Sequence, residues 1–174
     1  QKALARDPQA CAVRLDELRA MTTELVQEVR RFSRNLRPIY LEDLGLIPAL
    51  EMLTKDANTA TLATFFQVTG TPRRLKPERE IALYRIVQEA LNNATAHANA
   101  TRADVTAVFT GGEAAVTIAD NGQGFAIPDR PGELAEAGHY GLLGMRERAE
   151  LADGWLSIES EPGQGARIEI HLPV

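Results

Sequence analysis

The sequence predicts an α/β domain, a mixed sheet with helices on one face, preceded by a long helix from a dimerisation hairpin. Three observations carry this. An apolar stripe of helical period runs from Cys11 to Leu36. Downstream, β-branched and aromatic runs alternate irregularly with helical stretches, which indicates a mixed sheet. Two pairs of alternating runs are separated by glycine turns, the mark of hairpins.

In the first stretch Cys11, Leu15, Leu18, Met21, Leu25, Val29, Phe32 and Leu36 recur at steps of three or four. The mean step is about 3.57 residues, between the coiled-coil value of about 3.5 and the straight-helix value of about 3.6. Arg14, Arg19, Glu24, Glu28, Arg31 and Arg34 fill the other faces. Asp7-Pro8 reads as the turn into this helix, proline being tolerated at its first positions. Ala3 to Arg6 would be the tail of a preceding helix. The stripe exceeds what a lone helix can hide, so a helix bundle or dimer is expected; packing on its own domain is the alternative.

Pro38 ends the helix, because the residue before a proline resists the α region. A second amphipathic stretch carries Leu44, Ile47, Leu50, Met52 and Leu53 towards Asn58. Thr61–Val68 is the first strand, and Gly70-Thr71-Pro72 breaks it. Pro77 opens a helix to about His97. Asp104–Phe109 and Ala114–Ala119 form a hairpin about Gly111-Gly112. Residues 121–140 are a Gly- and Pro-rich loop, and Leu142–Ala152 is the last helix. Trp155–Glu159 and Ala166–Leu172 close the chain as strands around residues 161–165. The boundary between helical part and sheet part is expected near residues 56–61.

Composition sets limits on function. A chain of 174 residues, 44% hydrophobic and 25% charged, suits one domain plus an appendage. Against 19 Lys and Arg stand 24 Asp and Glu, a net charge of -5, which argues against nucleic acid as a partner. The single Cys11 excludes a disulfide framework, and no apolar run approaches the ~20 residues that cross a bilayer. No signal peptide is visible, so a soluble, cytoplasmic fragment is expected. The chain opens on Gln1 rather than Met, so it is expected to be part of something longer. The histidines at 97, 139 and 171 lack metal-ligand spacing, and P-loop, H-E-x-x-H and G-x-S-x-G patterns do not occur.

Four constellations can carry chemistry. On the helix opened by Pro77, Glu89, Asn93 and His97 share one face, while Leu83, Val87, Ala90 and Ala94 sit opposite. A carboxylate and a carboxamide one turn apart suit a Mg²⁺ ion and a polarised water or hydroxyl; a merely solvated face is the alternative. Asp120-Asn121-Gly122-Gln123-Gly124-Phe125 follows an apolar strand. Its aspartate can accept from an exocyclic amine, and its glycines let a flat ring approach the backbone. Gly141-Leu142-Leu143-Gly144-Met145 opens a helix, where free N–H groups favour a phosphate. Gly163-Gln164-Gly165-Ala166 enters the last strand and alone reads as a turn.

In that order the four elements resemble the nucleotide-binding boxes of the histidine-kinase catalytic domain. That domain belongs to the ATPase superfamily shared with gyrase, heat-shock chaperones and mismatch-repair proteins. Leu36-Arg37-Pro38, Leu44-Gly45-Leu46, Ala49-Leu50, the run Arg85–Ala94, Gly141–Arg148 and Ile170-His171-Leu172-Pro173 resemble the sensor kinases similar to nitrate/nitrite sensors. The resemblance implies a two-layer α/β sandwich, with residues 1–58 a partial dimerisation and phosphoacceptor region with its connecting helix, and residues 59–174 the ATP-binding catalytic domain. Residues 8–37 would be the second helix of the hairpin, two hairpins making a four-helix bundle.

The resemblance also implies roles. Asn93 would hold Mg²⁺ on the phosphates of ATP, with Glu89 as general base or polarising carboxylate. Asp120 would recognise the adenine amino group, with Gly122, Gly124 and Phe125 admitting the base and Ala166 beside it. His97 would stand in the nucleotide site. Residues 125–140 would be a lid, and Gly141, Leu142, Leu143 and Gly144 would wrap the phosphates. The parent would transfer the γ-phosphoryl to its own histidine for relay to a response-regulator receiver domain, working as a homodimer through the hairpin; membrane anchoring of that parent stays open.

Three departures stand out. The phosphoacceptor histidine is absent, so this fragment is not expected to phosphorylate itself. Ala96 stands where the family often has lysine, and Ala166 where it usually has threonine. A nucleotide-binding regulatory module without transfer, and an ATPase or serine kinase of the same superfamily, are the alternative readings.

Overall fold

The structure, a computed structural model, describes residues 39–127 and 140–174, together with Arg14, Leu18, Arg19, Met21 and Thr22. Those five are helical, and Thr22 Oγ1 donates to Leu18 O at 2.7 Å. The rest of the expected helix of residues 8–37, the tail Ala3–Arg6 and most of the expected lid, His139 included, lie outside the described residues. The chain divides into two units, Gln1–Ile39 and Tyr40–Val174. The unit that holds the sheet begins at Tyr40. The reason is burial: Leu41, Leu46, Ala49 and Leu50 sink into the core of the sheet unit.

The elements are α1 (Ile39–Leu44), α2 (Leu46–Ala57), β1 (Ala63–Gly70), α3 (Pro77–Ala96), β2 (Arg102–Phe109), β3 (Glu113–Asp120), α4 (Tyr140–Leu151), β4 (Trp155–Ser160) and β5 (Ala166–Pro173). The second amphipathic stretch is two helices, not one, because Gly45 at φ 88° takes a backbone that a side chain rarely adopts. Strand β1 starts and ends two residues later than the hydrophobic run suggests. Thr59 Oγ1 accepts from Leu62 N at 3.0 Å, which holds Thr61 and Leu62 in a turn.

The five strands form one mixed sheet in the order β1-β2-β3-β5-β4. Strands β1 and β2 run parallel, joined across α3; the other neighbours are antiparallel. Alternation decides the faces. Ala103, Val105, Ala107 and Phe109 of β2, Ala114, Val116 and Ile118 of β3, and Ile168, Ile170 and Leu172 of β5 are buried on the helix side. Helix α3 meets them with Leu83, Ile86, Val87, Ala90, Leu91 and Ala94, all buried. Each of the Leu, Ile and Val side chains among them contributes about 1.5–3 kcal/mol relative to exposure, so this face of α3 is fixed on the sheet.

Arg79 locks the end of α3 to the rest of the unit. Its Nε donates to Ala152 O at 3.3 Å, one terminal nitrogen to Pro173 O at 3.1 Å, and the other to Asp153 Oδ2 at 3.0 Å.

The opposite sheet face is polar. Arg167 pairs with Glu169 at 3.1 Å, and the His171 ring stacks on Trp155 at 3.9 Å between centroids. His171 Nε2 lies 3.0 Å from Glu169 Oε1. Its Nδ1 is 3.0 Å from Glu113 Oε1 but not aligned for a hydrogen bond. Burial pushes the Glu169 carboxyl up, yet the bonds and charges of His171 and Arg167 outweigh it and hold the group below its ordinary value. Among the described residues, no helix is long and apolar enough to cross a membrane.

Candidate functional site

A cavity of about 470 Å³ opens where α3 and α4 meet the ends of β3 and β5. Its size is that of a small-molecule site, roughly 300–1,000 Å³. Glu89, Ala90, Asn93 and His97 of α3 and its cap form one wall. Ala98, Asp120, Gln123, Gly124 and Phe125 form a second. Gly141 and Leu142 of α4, with Ala166 and Ile168 of β5, complete it.

Residues far apart in sequence arrive here for local reasons. Because α3 buries its other face, the polar stripe Glu89–Asn93–His97 turns to the cavity. Asp120 ends β3 in register with Ala166, the first residue of β5. The Asp120 side chain therefore stands on the helix side of the sheet, at its rim.

One Asp120 oxygen is already committed: Gly122 N donates to Oδ1 at 2.8 Å. Among the described residues, no other donor reaches this carboxylate, so its second oxygen can serve a ligand. A Cβ at Gly122 would collide with Ala98 O and crowd Asp120 Oδ1 itself, so only glycine admits this loop here. On the far side, a Cβ at Gly141 would collide with Glu89 Oε1, which places that carboxylate against the first turn of α4.

The loop is pinned on every side. Asn121 Oδ1 accepts from Thr101 N and Arg102 N, each at 2.9 Å, and its Nδ2 donates to Thr101 Oγ1 at 2.9 Å. Gln123 N donates to Ala98 O and Gln123 Nε2 to His97 O, both at 2.7 Å. Phe125 N donates to Ser160 Oγ at 2.9 Å, and that hydroxyl donates to Gly165 O at 2.8 Å.

Of the residues singled out in the sequence, Glu89, Asn93, His97, Asp120, Gly124, Phe125, Gly141, Leu142 and Ala166 line this one cavity. Gly122, Leu143 and Gly144 do not. Gly122 is buried behind the wall, against Ala98. Leu143 follows Leu142 by about 100° of helical turn, and Gly144 lies under the Arg148 guanidinium. Sequence reasoning missed Ala90, Ala98, Gln123 and Ile168 as lining residues. Spacing offered a signal for two of them: Ala90 follows Glu89, and Ile168 lies two residues beyond Ala166 on the same strand face.

Chemically the site offers two carboxylates, two carboxamides and an imidazole around an apolar floor. Carboxamide and carboxylate oxygens suit a hard cation that keeps water and phosphate as its other ligands. Among the described residues, no group of three or more His, Cys, Asp or Glu could enclose a metal by itself.

The family described as histidine kinase-, DNA gyrase B- and HSP90-like ATPase matches residues 78–174. A Brevibacillus brevis protein, signal transduction histidine-protein kinase/phosphatase DegS, is 37% identical over 159 residues, covering 91% of this chain and 40% of that protein. Sensor histidine kinase MctS of Rhizobium johnstonii is 41% identical over 137 residues, covering 78% and 29%. The chain thus spans less than half the length of these relatives. Among solved structures, the histidine kinase domain of an Erythrobacter litoralis blue-light activated kinase superposes with a TM-score of 0.55 at 22% identity, covering 71% of this chain and 57% of that one. Full-length ShkA in complex with AMPPNP gives 0.58 at 24%, covering 74% and 29%. These two are likenesses of fold.

Proposed function

This chain belongs to the histidine kinase-, DNA gyrase B- and HSP90-like ATPase family, and from that premise we propose that it is the ATP-binding catalytic domain of a sensor histidine kinase. The observation that carries the reading is the single cavity uniting Glu89 and Asn93 with Asp120 and the first turn of α4. Asp120 accepts the adenine amino group on the oxygen that Gly122 leaves open. Ala98, Phe125, Ala166 and Ile168 supply an apolar surface for the ring. The N–H groups of the first turn of α4, which lack intrahelical acceptors, face the phosphates.

Asn93 holds Mg²⁺ through its amide oxygen, with His97 completing that wall. The ion, when bound, supplies positive charge against the phosphate oxygens. Glu89 takes or polarises a proton at the phosphoacceptor nitrogen, so that its lone pair can form the N–P bond as the bond to the ADP oxygen breaks. In the whole protein the acceptor is a histidine on an upstream helix. A homodimer built through that hairpin then passes the phosphoryl to a response-regulator receiver domain; the histidine kinases among the relatives support this.

The test is Glu89→Gln in a protein that carries the phosphoacceptor helix. Nucleotide affinity should stay within about threefold while transfer slows by roughly two orders of magnitude or more. Transfer at the wild-type rate would remove Glu89 from the chemistry. A wild-type chain that binds no ATP would remove the whole reading.

A further inference from the structure

Gln123 is exposed, yet three hydrogen bonds meet on it. Its backbone N–H reaches Ala98 O, its side-chain Nε2 reaches His97 O, and its own carbonyl accepts from Gly163 N at 2.6 Å. These partners tie its loop to two other segments around the cavity. His97 and Ala98 are the C-terminal cap of α3, the helix that presents Glu89 and Asn93. Gln123 belongs to the loop of Asp120. Gly163 belongs to the turn that delivers Ala166.

The two donations to α3 differ in kind. The backbone bond to Ala98 O ties the loop to the end of α3, and the Asn121 bonds to Thr101 and Arg102 hold it to the start of β2, whatever side chain stands at 123. The side-chain bond to His97 O adds a second tie from the loop to the end of α3, one residue nearer Asn93, where carbonyls lack intrahelical partners. That turn also carries Asn93, whose own carbonyl accepts from His97 N at 2.9 Å and Ala98 N at 3.1 Å. Two ties therefore join the Asp120 loop to the Asn93 turn, one through the backbone of Ala98 and one through the exposed amide of Gln123.

We infer that Gln123 is a positioning residue, whose carboxamide sets the spacing between the base-binding Asp120 and the Asn93 wall. This deepens the nucleotide reading above and rests on it. A ligand that touches only the Asp120 wall does not need the spacing; a ligand that spans both walls does, because each misplacement must be corrected at the expense of binding. The side chain is exposed, so replacing it opens no core cavity.

The experiment compares Gln123→Leu, which keeps bulk without a donor, with Gln123→Glu, which turns an acceptor towards His97 O. Binding of adenosine, and of ADP with Mg²⁺, is measured by displacement of a fluorescent ATP analogue, and thermal unfolding is followed without ligand. ADP with Mg²⁺ should weaken roughly threefold to tenfold in both variants, the loss expected of one hydrogen bond. Adenosine should stay within about twofold of wild type, and the unfolding midpoint should hold within about 2 °C. Equal losses for both ligands, or a lowered midpoint that accounts for them, would reduce Gln123 to a helix cap and overturn the inference. Unchanged affinity for both ligands would overturn it too. A wild-type chain that binds neither ligand would overturn the nucleotide reading, and this inference with it.

Discussion

Replacing Asp120 by asparagine tests the proposed contact between its carboxylate and the adenine amino group. The structure commits Oδ1 to Gly122 N at 2.8 Å. In the asparagine variant the amide oxygen takes over that bond, so the loop stays in place and the amide nitrogen is left facing the ligand. A carboxylate that accepted from the adenine amino group becomes a donor opposed to a donor. The loss is one charge-assisted hydrogen bond, about 1.5–3 kcal/mol, or roughly ten- to a hundredfold in ATP affinity. Inosine triphosphate, with a carbonyl acceptor in place of the amino group, should instead gain relative to ATP. Competitive titration against a fluorescent nucleotide gives both affinities, and thermal unfolding checks that the fold is unharmed. An unchanged ATP-to-ITP ratio, in a protein that melts like wild type, would refute both the oxygen assignment and the role of Asp120.

Further outcomes follow from neighbouring geometry. Gly141→Ala sets a Cβ against Glu89 Oε1; the flexible carboxylate should move aside, slowing transfer at least about tenfold, while nucleotide binding and melting hold, as single-turnover assays would show. Asn93→Ala should weaken ADP binding with Mg²⁺ present but hardly at all in EDTA; equal loss in both would contradict its role as an ion ligand. Glu169 has a carboxyl held below its ordinary value, so its contribution to stability is present above the unfolded-state pKa and is lost as pH falls through the folded one. Glu169→Gln should therefore flatten the acid limb of stability between about pH 5 and 3 and leave its neutral-to-basic course unchanged, as urea titrations at several pH values would record. Arg79→Leu removes donations to Ala152 O, Pro173 O and Asp153, and should cost about 2–4 kcal/mol of unfolding free energy; a loss under about 0.5 kcal/mol would show that water replaces all three.

Alternation and turn chemistry made the sheet readable. Val105 and Ala107 alternate with Asp104 and Thr106, and Gly111-Gly112 marks the return, so β2 and β3 fall within two residues of expectation. What escaped was placement in space. The helical stretch 46–57 has an amphipathic pattern equally suited to a linker or to a domain, and only its packing on α3 and β1 assigns it to the sheet unit. The order β1-β2-β3-β5-β4 escaped as well, because pairing of β3 with β5 depends on a contact between segments separated by α4.

At the site, the residues legible in advance are those whose chemistry is in the side chain: Glu89, Asn93, His97 and Asp120. The ones that escaped act through the backbone or through shape. Nothing in the letters Gln123 says that its amide will close a gap between two chain segments, since His97 O becomes its partner only once α3 ends beside the Asp120 loop. Gly122 was legible as a glycine but not for its reason. It was expected to admit the base, whereas its near neighbours are Ala98 and Asp120, and its N–H orients the carboxylate. Glycines of this pattern therefore do two separable tasks: Gly124 and Gly141 line the cavity, while Gly122 holds one oxygen of the Asp120 carboxylate. A substitution at Gly122 should accordingly disturb the choice of base through Asp120, and the Asn93 wall through Ala98, which the new Cβ would meet directly.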